Sequence, residues 1–354
     1  MNFNPHIKND SIKIAERLRE HNSYFDKSTI LITGAFGFLG QQFLYYFSTL
    51  IEDLGFDIKI IAYDNFITGN KNLYQIFSKK SYLELLEIDI IKQKIFPNAD
   101  FIIHAASIAS PIFYRKFPIE TLDANVNGYR NLLEFYKKDK IKSLLYFSTS
   151  EIYGDPPADQ IPTNEEFRGL VSTTGPRACY DESKRLGETL SVLFYQVHKV
   201  PVKIVRPFNN YGPGLKISDR RVLPDFFKDI LNNQNIKLFS NGKATRTFCY
   251  TEDAMVGYLL LLLSNYNAEP FNIGTENPEI SIYDLAKKCI EVSEKKEIEI
   301  IFDKSSDLNY LSDNPNRRCP DITKAKKLLG YNPMISLEEG LLRSFQYYKE
   351  TFNK

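Results

Sequence analysis

Tyr180 and Lys184 lie four positions apart in the stretch Gly175-Pro176-Arg177-Ala178-Cys179-Tyr180-Asp181-Glu182-Ser183-Lys184-Arg185. On a helix this spacing puts both side chains on one face, one turn apart. An ammonium beside a phenol favours the phenolate, so Tyr180 is expected to titrate below its usual value of about 10. A phenolate can take a proton from a sugar hydroxyl as a hydride leaves the same carbon. Taken alone, the pair equally describes a surface helix with a solvated lysine. The case for chemistry rests on what surrounds it. An apolar strand pattern, Ser143 to Phe147, delivers Ser148-Thr149-Ser150-Glu151 at its C-terminal end. In doubly wound sheets that edge is where ligands bind.

The elements needed to position these groups are visible upstream. Ser28 to Thr33 reads as a buried strand running into Gly34-Ala35-Phe36-Gly37-Phe38-Leu39-Gly40 and then an apolar helix. Strand, glycine turn and helix are the context a dinucleotide fingerprint requires. Free N–H groups and the dipole at the helix start would then receive a diphosphate. The next strand, Ile58 to Tyr63, ends in Asp64, where an acid is expected on the ribose hydroxyls and would repel a 2'-phosphate. NAD is therefore expected rather than NADP. The remaining expected cofactor contacts are Asn65, the end of a third strand (Leu85 to Ile90) at Asp89 and Ile90, and Ala105 and Ala106 after a fourth strand (Asp100 to His104).

Thr121 to Lys137 reads as a helix, a further helix begins near Tyr180, and Val202 to Val205 gives a sixth strand. This alternation predicts an α/β fold: a Rossmann-type doubly wound parallel sheet with a smaller C-terminal substrate-binding lobe. The expected organisation is a preamble (1–28), a nucleotide-binding domain (29–205, revisited at about 247–273) and a second lobe (206–246 and 274–354). The preamble carries Ile12, Ala15 and Leu18 at helical spacing, which predicts a short amphipathic helix over Ser11 to Arg19. In the second lobe Arg220, Arg221, Lys243 and Arg246 suggest a surface facing a phosphorylated ligand, with Lys243 expected in solvent.

Composition narrows the class. Lys and Arg number 45 against 44 Asp and Glu, which argues against a general nucleic-acid or membrane-surface binder. Cys179, Cys249, Cys289 and Cys319 form no C-x-x-C pair and no zinc spacing, so no metal is expected. The start lacks an apolar signal-peptide core, and the longest apolar run, near Met255 to Leu263, is too short to span a bilayer. These features lead to the expectation of a reduced, cytoplasmic protein.

Several segments together resemble the UDP-glucuronate decarboxylases (UDP-xylose synthases) of the extended short-chain dehydrogenase/reductase superfamily. They are Ala109-Ser110-Pro111, Ser148 to Pro156, Gly175 to Glu182, Phe208-Asn209-Asn210-Tyr211-Gly212-Pro213 and Arg317-Arg318-Cys319-Pro320-Asp321-Ile322. The resemblance covers roughly Thr29 to Leu342. It implies a redox-neutral cycle on tightly held NAD+. Tyr180, assisted by Lys184 and Thr149, would take the 4-hydroxyl proton, and the resulting β-keto acid would lose CO2. Glu151, Ser150 and Arg318 match positions used around decarboxylation and reprotonation. Ser107, Pro111, Asn209, Arg221 and Arg246 would hold the nucleotide sugar. The resemblance also implies a homodimer, with the helix over Thr121 to Lys137 and the helix from Tyr180 packing as a four-helix bundle.

The sequence also separates this reading from its neighbours. Sugar-nucleotide 4,6-dehydratases carry Asp-Glu where this chain has Ser150-Glu151, and simple 4-epimerases generally lack the glutamate. A non-catalytic NAD-binding scaffold would tolerate losing Thr149, Glu151, Tyr180 or Lys184, yet all four are present. Three features depart from the family pattern: Gly214 where an arginine is usual, the segment Thr275-Glu276-Asn277-Pro278, and the preamble.

Overall fold

The computed structural model describes residues 3–304 and 314–352. The first two residues of the expected preamble, and 305–313 and 353–354 of the expected second lobe, lie outside the described residues.

The centre is a seven-stranded sheet. Its strands are β1 (Ser28–Thr33), β2 (Ile58–Asp64), β3 (Leu83–Glu87), β4 (Phe101–His104), β5 (Ser143–Phe147), β6 (Val202–Pro207) and an edge strand, Pro270–Ile273. In space the order is edge strand, β6, β5, β4, β1, β2, β3. Every pairing is parallel. The central strands β1, β4 and β5 carry apolar runs because both faces are covered, whereas β3, at the opposite edge, exposes Glu84 and Glu87. Ile30, Ile32, Ile60 and Ile103 pack on one face, and Leu31, Ile61, Ile102 and Leu144 on the other. β1 and β4 are neighbours although β2 and β3 intervene in sequence. The chain therefore leaves β1 in one direction and β4 in the other, which opens a crevice at their C-terminal ends.

Some element bounds differ from the sequence reading, while the helix expected to begin near Tyr180 is present. β3 starts two residues early and stops at Glu87, so Asp89 and Ile90 fall in the turn that follows. The edge strand Pro270–Ile273 was not expected as a strand; it is too short for a periodic signal. The helix expected over Thr121 to Lys137 starts at Pro118 and is interrupted by a π turn at Ala124–Gly128. The Tyr180 helix spans Ala178–His198. The preamble helix, α1, is Pro5–Arg17, opened by Asn4, whose side chain accepts from the His6 and Ile7 amides. A proline in the first turn costs nothing there, because its missing N–H would have no intrahelical partner.

A second core lies beside the sheet. It gathers Phe226, Phe227 and Ile230 from the helix Val222–Leu231 with Leu285 and Cys289 from the helix Ile282–Ser293 and Leu341 and Phe345 from the helix Leu337–Thr351. Between these two cores runs a buried polar seam that α1 completes. Arg17 pairs with Asp253 at 2.7 Å and Glu252 at 3.2 Å. Arg343 pairs with Glu252 at 2.8 Å and Asp10 at 3.3 Å. The Tyr250 hydroxyl donates to Asp10 at 2.7 Å. Ile7, Ile14 and Leu18 bury the other face of this segment. The preamble is thus part of the folded body.

Burial pushes the Asp10 carboxyl up to about 6, against a hydrogen bond from Tyr250 that lowers it. A raised folded-state value means the native chain holds the proton more tightly than the unfolded chain. The stability this contributes is present below the unfolded value and is lost as pH rises through about 6. Asp10→Asn removes the titration. Relative to this variant, the wild-type unfolding free energy is expected to fall by about 3 kcal/mol between about pH 4 and pH 7. Denaturant titrations of both proteins across that range measure it, and parallel curves would refute it.

Candidate active site

The glycine turn after β1 is shaped by close approach. Gly34 has φ +68°, and a Cβ on it would lie 2.6 Å from backbone atoms of Ala105 and Ala106. Only glycine lets the turns after β1 and β4 meet. The helix that follows, α2 (Phe38–Glu52), starts at Gly37 with no side-chain cap. Its first-turn residues Phe38, Leu39 and Gly40, together with Gly37, line a cleft of about 1570 Å³. A 15-residue helix with an uncapped start at a cleft suits an anion such as a dinucleotide diphosphate. Ser107 lines the same cleft, and its buried hydroxyl has no partner among the described residues.

Across the crevice, the Ala178–His198 helix is seated closely on β5. A Cβ at Gly187 would lie 1.8 Å from the Tyr146 hydroxyl. This seat lets Lys184 reach through to donate to the Phe147 carbonyl at 2.7 Å. Its ammonium lies 5.8 Å from the centre of the Tyr180 ring. Tyr180 itself is stacked on Tyr114 with centroids 5.2 Å apart. The loop after β5 brings Thr149, Ser150 and Glu151 to the same wall, with Thr149 accepting from the Glu151 amide at 3.3 Å. That loop is braced from behind. Arg206 on β6 pairs with Glu188 at 2.7 Å and donates to the Tyr153 hydroxyl at 2.7 Å.

The electrostatics of the pair correct the sequence expectation. Burial pushes the Tyr180 phenol up to about 12, outweighing a lowering hydrogen bond with Thr149. Burial likewise pushes Lys184 down to about 7. Spacing placed both groups on one face, but it could not show that both would be taken out of water. Within the chain itself, desolvation wins over their mutual attraction.

Glu151 is the best-anchored group in the cleft. Arg318 holds both its oxygens, at 2.6 Å each, and Arg177 donates to Oε2 as well. Burial alone would raise this carboxyl, but Arg177 and Arg318 outweigh it and hold it below the ordinary range. Arg177 also reaches Asp181 at 3.4 Å. Asp181 keeps one buried oxygen without a partner among the described residues and is pushed up to about 7 by burial and by Glu151. Sequence reasoning quoted Arg177 and Asp181 and gave neither a role. The spacing i, i+4 at the start of a helix was the available signal, but nothing in it pointed across to Glu151.

The second lobe supplies the far wall. Arg246 is buried and donates to the carbonyls of Thr245 (2.7 Å), Asn316 (3.2 Å) and Pro315 (2.5 Å). Asn209 donates to the Thr247 carbonyl at 2.8 Å, and Arg221 pairs with Asp219 at 2.9 Å. Pro111, Arg221, Asn209 and Arg246 line the cleft, as does Lys243, which is exposed.

The remaining expected contacts sit behind the lining. Asp64 is buried, and its oxygens accept from the Phe36 and Phe66 amides at 2.8 Å each. Asn65 caps the Ile67 amide, and Asp89 the Ile91 amide, each at 3.1 Å. Ile90 packs on Gly128, and Ala106 against the Gly34 turn. Phe36 and Ala105 do line the cleft. Among the described residues no cluster of His, Cys, Asp and Glu could hold a metal, and no helix is long and apolar enough to cross a membrane.

The fold is a Rossmann-type nucleotide-binding fold with a cleft at its switch point. Over residues 30–274 the sequence matches the family described as "NAD dependent epimerase/dehydratase family", and the chain belongs to that family. UDP-glucuronic acid decarboxylase 1 of Xenopus tropicalis is 36% identical over 329 residues, 92% of this chain and 73% of that protein. UDP-glucuronic acid decarboxylase 6 of Arabidopsis thaliana is 36% identical over 327 residues, 92% of this chain and 90% of that protein. Among solved structures, a UDP-glucuronic acid 4-epimerase of Bacillus cereus, in complex with UDP-glucuronic acid and NAD, gives a TM-score of 0.75 at 26% identity. That match covers 91% of this chain and 99% of the other.

Arg177→Gln leaves Glu151 paired with Arg318 alone. The carboxyl should then protonate at a higher pH than in the wild type, because the largest of three lowering charges, Arg177, Arg318 and Arg246, is gone. The acid limb of the kcat profile is expected to move to higher pH, and unfolding free energy to drop by about 3 kcal/mol. Turnover as a function of pH, with denaturant titration, checks both. An unmoved acid limb would sink the assignment.

Proposed function

We propose that the protein decarboxylates a nucleotide hexuronate, most specifically UDP-glucuronate to UDP-xylose and CO2, with NAD as a recycled cofactor. The observation that carries this reading is Glu151 pinned as a carboxylate by Arg318 and Arg177 beside Tyr180, Thr149 and Lys184. The names of the relatives support the same chemistry.

Loss of CO2 from C5 needs an electron sink, which oxidation of the 4-hydroxyl creates. When bound, NAD+ supplies the hydride acceptor for that oxidation, the donor for the later reduction, and a positive charge that favours the Tyr180 phenolate. Gly34 and the uncapped start of α2 would hold its diphosphate half, and Ser107 would face the nucleotide sugar. Tyr180 would take the 4-hydroxyl proton, with Thr149 steadying the oxygen and Lys184 tuning the phenol. The C5–C6 bond then breaks, its electron pair moves to the 4-keto oxygen, and a proton returns to C5. Tyr180 finally returns its proton to the 4-oxygen as the ketone is reduced. Ser150 and Arg318 would act at the decarboxylation and reprotonation step, and Glu151, held ionised, would orient Arg318. Asn209, Arg221 and Arg246 would hold the nucleotide diphosphate and sugar.

A second reading, 4-epimerisation of the same substrate, draws support from the Bacillus cereus neighbour. A homodimer also belongs to this proposal. Leu122, Leu186, Leu193 and Val197 are exposed on the two helices expected at the interface, Val197 by 70%. The four free cysteines support a reducing, cytoplasmic setting.

The test is NMR and mass spectrometry of UDP-glucuronate incubated with the protein and NAD+. The expected result is loss of the carboxyl group, a pentose anomeric signal and no net change in cofactor redox state. A product of unchanged mass with inverted C4 would replace the proposal by epimerisation. Tyr180→Phe is expected to lower kcat by about 100- to 10,000-fold while NAD binding persists. Near-normal turnover would remove Tyr180 from its role.

A further inference from the structure

Gly214, where the resembling family usually carries arginine, marks a place where the two halves of the molecule are fastened together. It has φ +93°, and a Cβ there would lie 2.9 Å from the Gln41 side-chain amide carbon. Gln41, in the first turn of α2, donates to the Gly214 carbonyl at 2.9 Å. Its neighbour Gln42 donates to the Pro213 carbonyl at 2.7 Å. Lys216 donates to the Thr68 carbonyl at 2.6 Å and the Gly69 carbonyl at 3.0 Å. Ser110 donates to the Asp219 carbonyl at 2.9 Å. One short stretch, 213–219, is thus tied to α2, to the loop after β2 and to the loop after β4. These are the walls of the cofactor half of the cleft.

The loop that Lys216 grips is itself folded onto the glycine turn. Asp64 accepts from the Phe36 amide, the Asn70 amide donates to the Phe36 carbonyl at 2.9 Å, and the Phe36 and Phe66 rings stack at 5.2 Å. Gly214, Leu215, Lys216 and Ser218 line the cleft together with Gly37, Thr68 and Gln41. From the lobe side, the Tyr348 hydroxyl donates to the Leu215 carbonyl at 2.9 Å. The stretch is anchored at its back and clasped at its front.

We propose that the stretch Pro213–Asp219 is a strap that retains the dinucleotide, with Lys216 as its latch. The proposal rests on the reading above, in which NAD occupies this cleft and one hydride is borrowed and returned. Such a cycle is productive only if the cofactor stays through it. A dinucleotide between the start of α2 and the strap leaves when the strap lifts. Lifting breaks the two amide bonds from Gln41 and Gln42 and the Ser110 bond, all neutral, and the Lys216 bonds, which are charge-assisted and roughly twice as strong. Lys216 is therefore a positioning residue, acting on the cofactor through the loop after β2.

The test loads the full-length protein with NAD+, removes free cofactor, chases with excess isotopically labelled NAD+, and follows exchange by mass spectrometry. Lys216→Ala is expected to release NAD+ on the order of tenfold faster than wild type. Lys216→Arg should stay within about twofold, since it keeps a cationic donor. Ser110→Ala removes the tie at the other end of the strap and should also speed release, which keeps the test usable if Lys216→Ala is poorly folded. Equal release rates in wild type and both removing variants would overturn the strap alone. A wild-type protein that binds no NAD+ would overturn the cofactor reading and the strap with it.

Discussion

The polar end of the cleft depends on keeping one partly buried carboxylate charged. Glu151 is largely shielded from water, and without partners its carboxyl would relieve the cost of that desolvation by protonating. Two guanidinium groups prevent this, one from each part of the molecule. Arg177 comes from the helix start that presents Tyr180, and Arg318 comes from a short strand of the second lobe. The ion cluster therefore does more than set a charge. It joins the element that carries the proposed base to the lobe that would carry the sugar. Removing any member leaves a partner stranded, which is why the cluster constrains the geometry of the whole site.

The Tyr180–Lys184 pair shows the same competition with a different winner. Coulomb attraction favours the charged forms and desolvation favours the neutral ones. Lys184 spends one donor on the Phe147 carbonyl, and its ammonium faces the Tyr146 ring as well as Tyr180. Among the described residues no carboxylate pairs with it, and burial alone pulls it down. With neutral partners on all sides it cannot recover the hydration it loses, and Tyr180 cannot either. Glu151 escapes that outcome only because its partners are formal charges.

How far the sequence could be read follows from which interactions are local. β1, β2 and β5 were legible because apolar runs ending at glycine, aspartate or serine mark buried parallel strands. The turn at Gly34 and the pairing of Tyr180 with Lys184 on one helix face were legible for the same reason: each is a spacing within one element. Three features were not. The Arg177–Glu151 contact spans 26 positions and depends on how the helix sits on β5. The edge strand Pro270–Ile273 exists because β6 offers it a partner, not because four residues specify it. The inward position of Asp64, which turns its oxygens onto the Phe36 and Phe66 amides, depends on a loop conformation that an acid at a strand end does not encode.

The preamble helix and Gly214 both act between the halves of the molecule. α1 brings Asp10 and Arg17 to Glu252, Asp253 and Arg343, so that three carboxylates and two guanidiniums share one seam. The charges there nearly balance, so the seam holds only while each acid keeps a partner. Gly214 works by the opposite means. By withholding a side chain it lets Gln41 and Gln42 reach backbone carbonyls that an arginine would cover. Neither device lies at the reacting atoms. Both set how easily the two halves part, and in a cleft built between two halves that property governs what enters, what leaves and how long it stays.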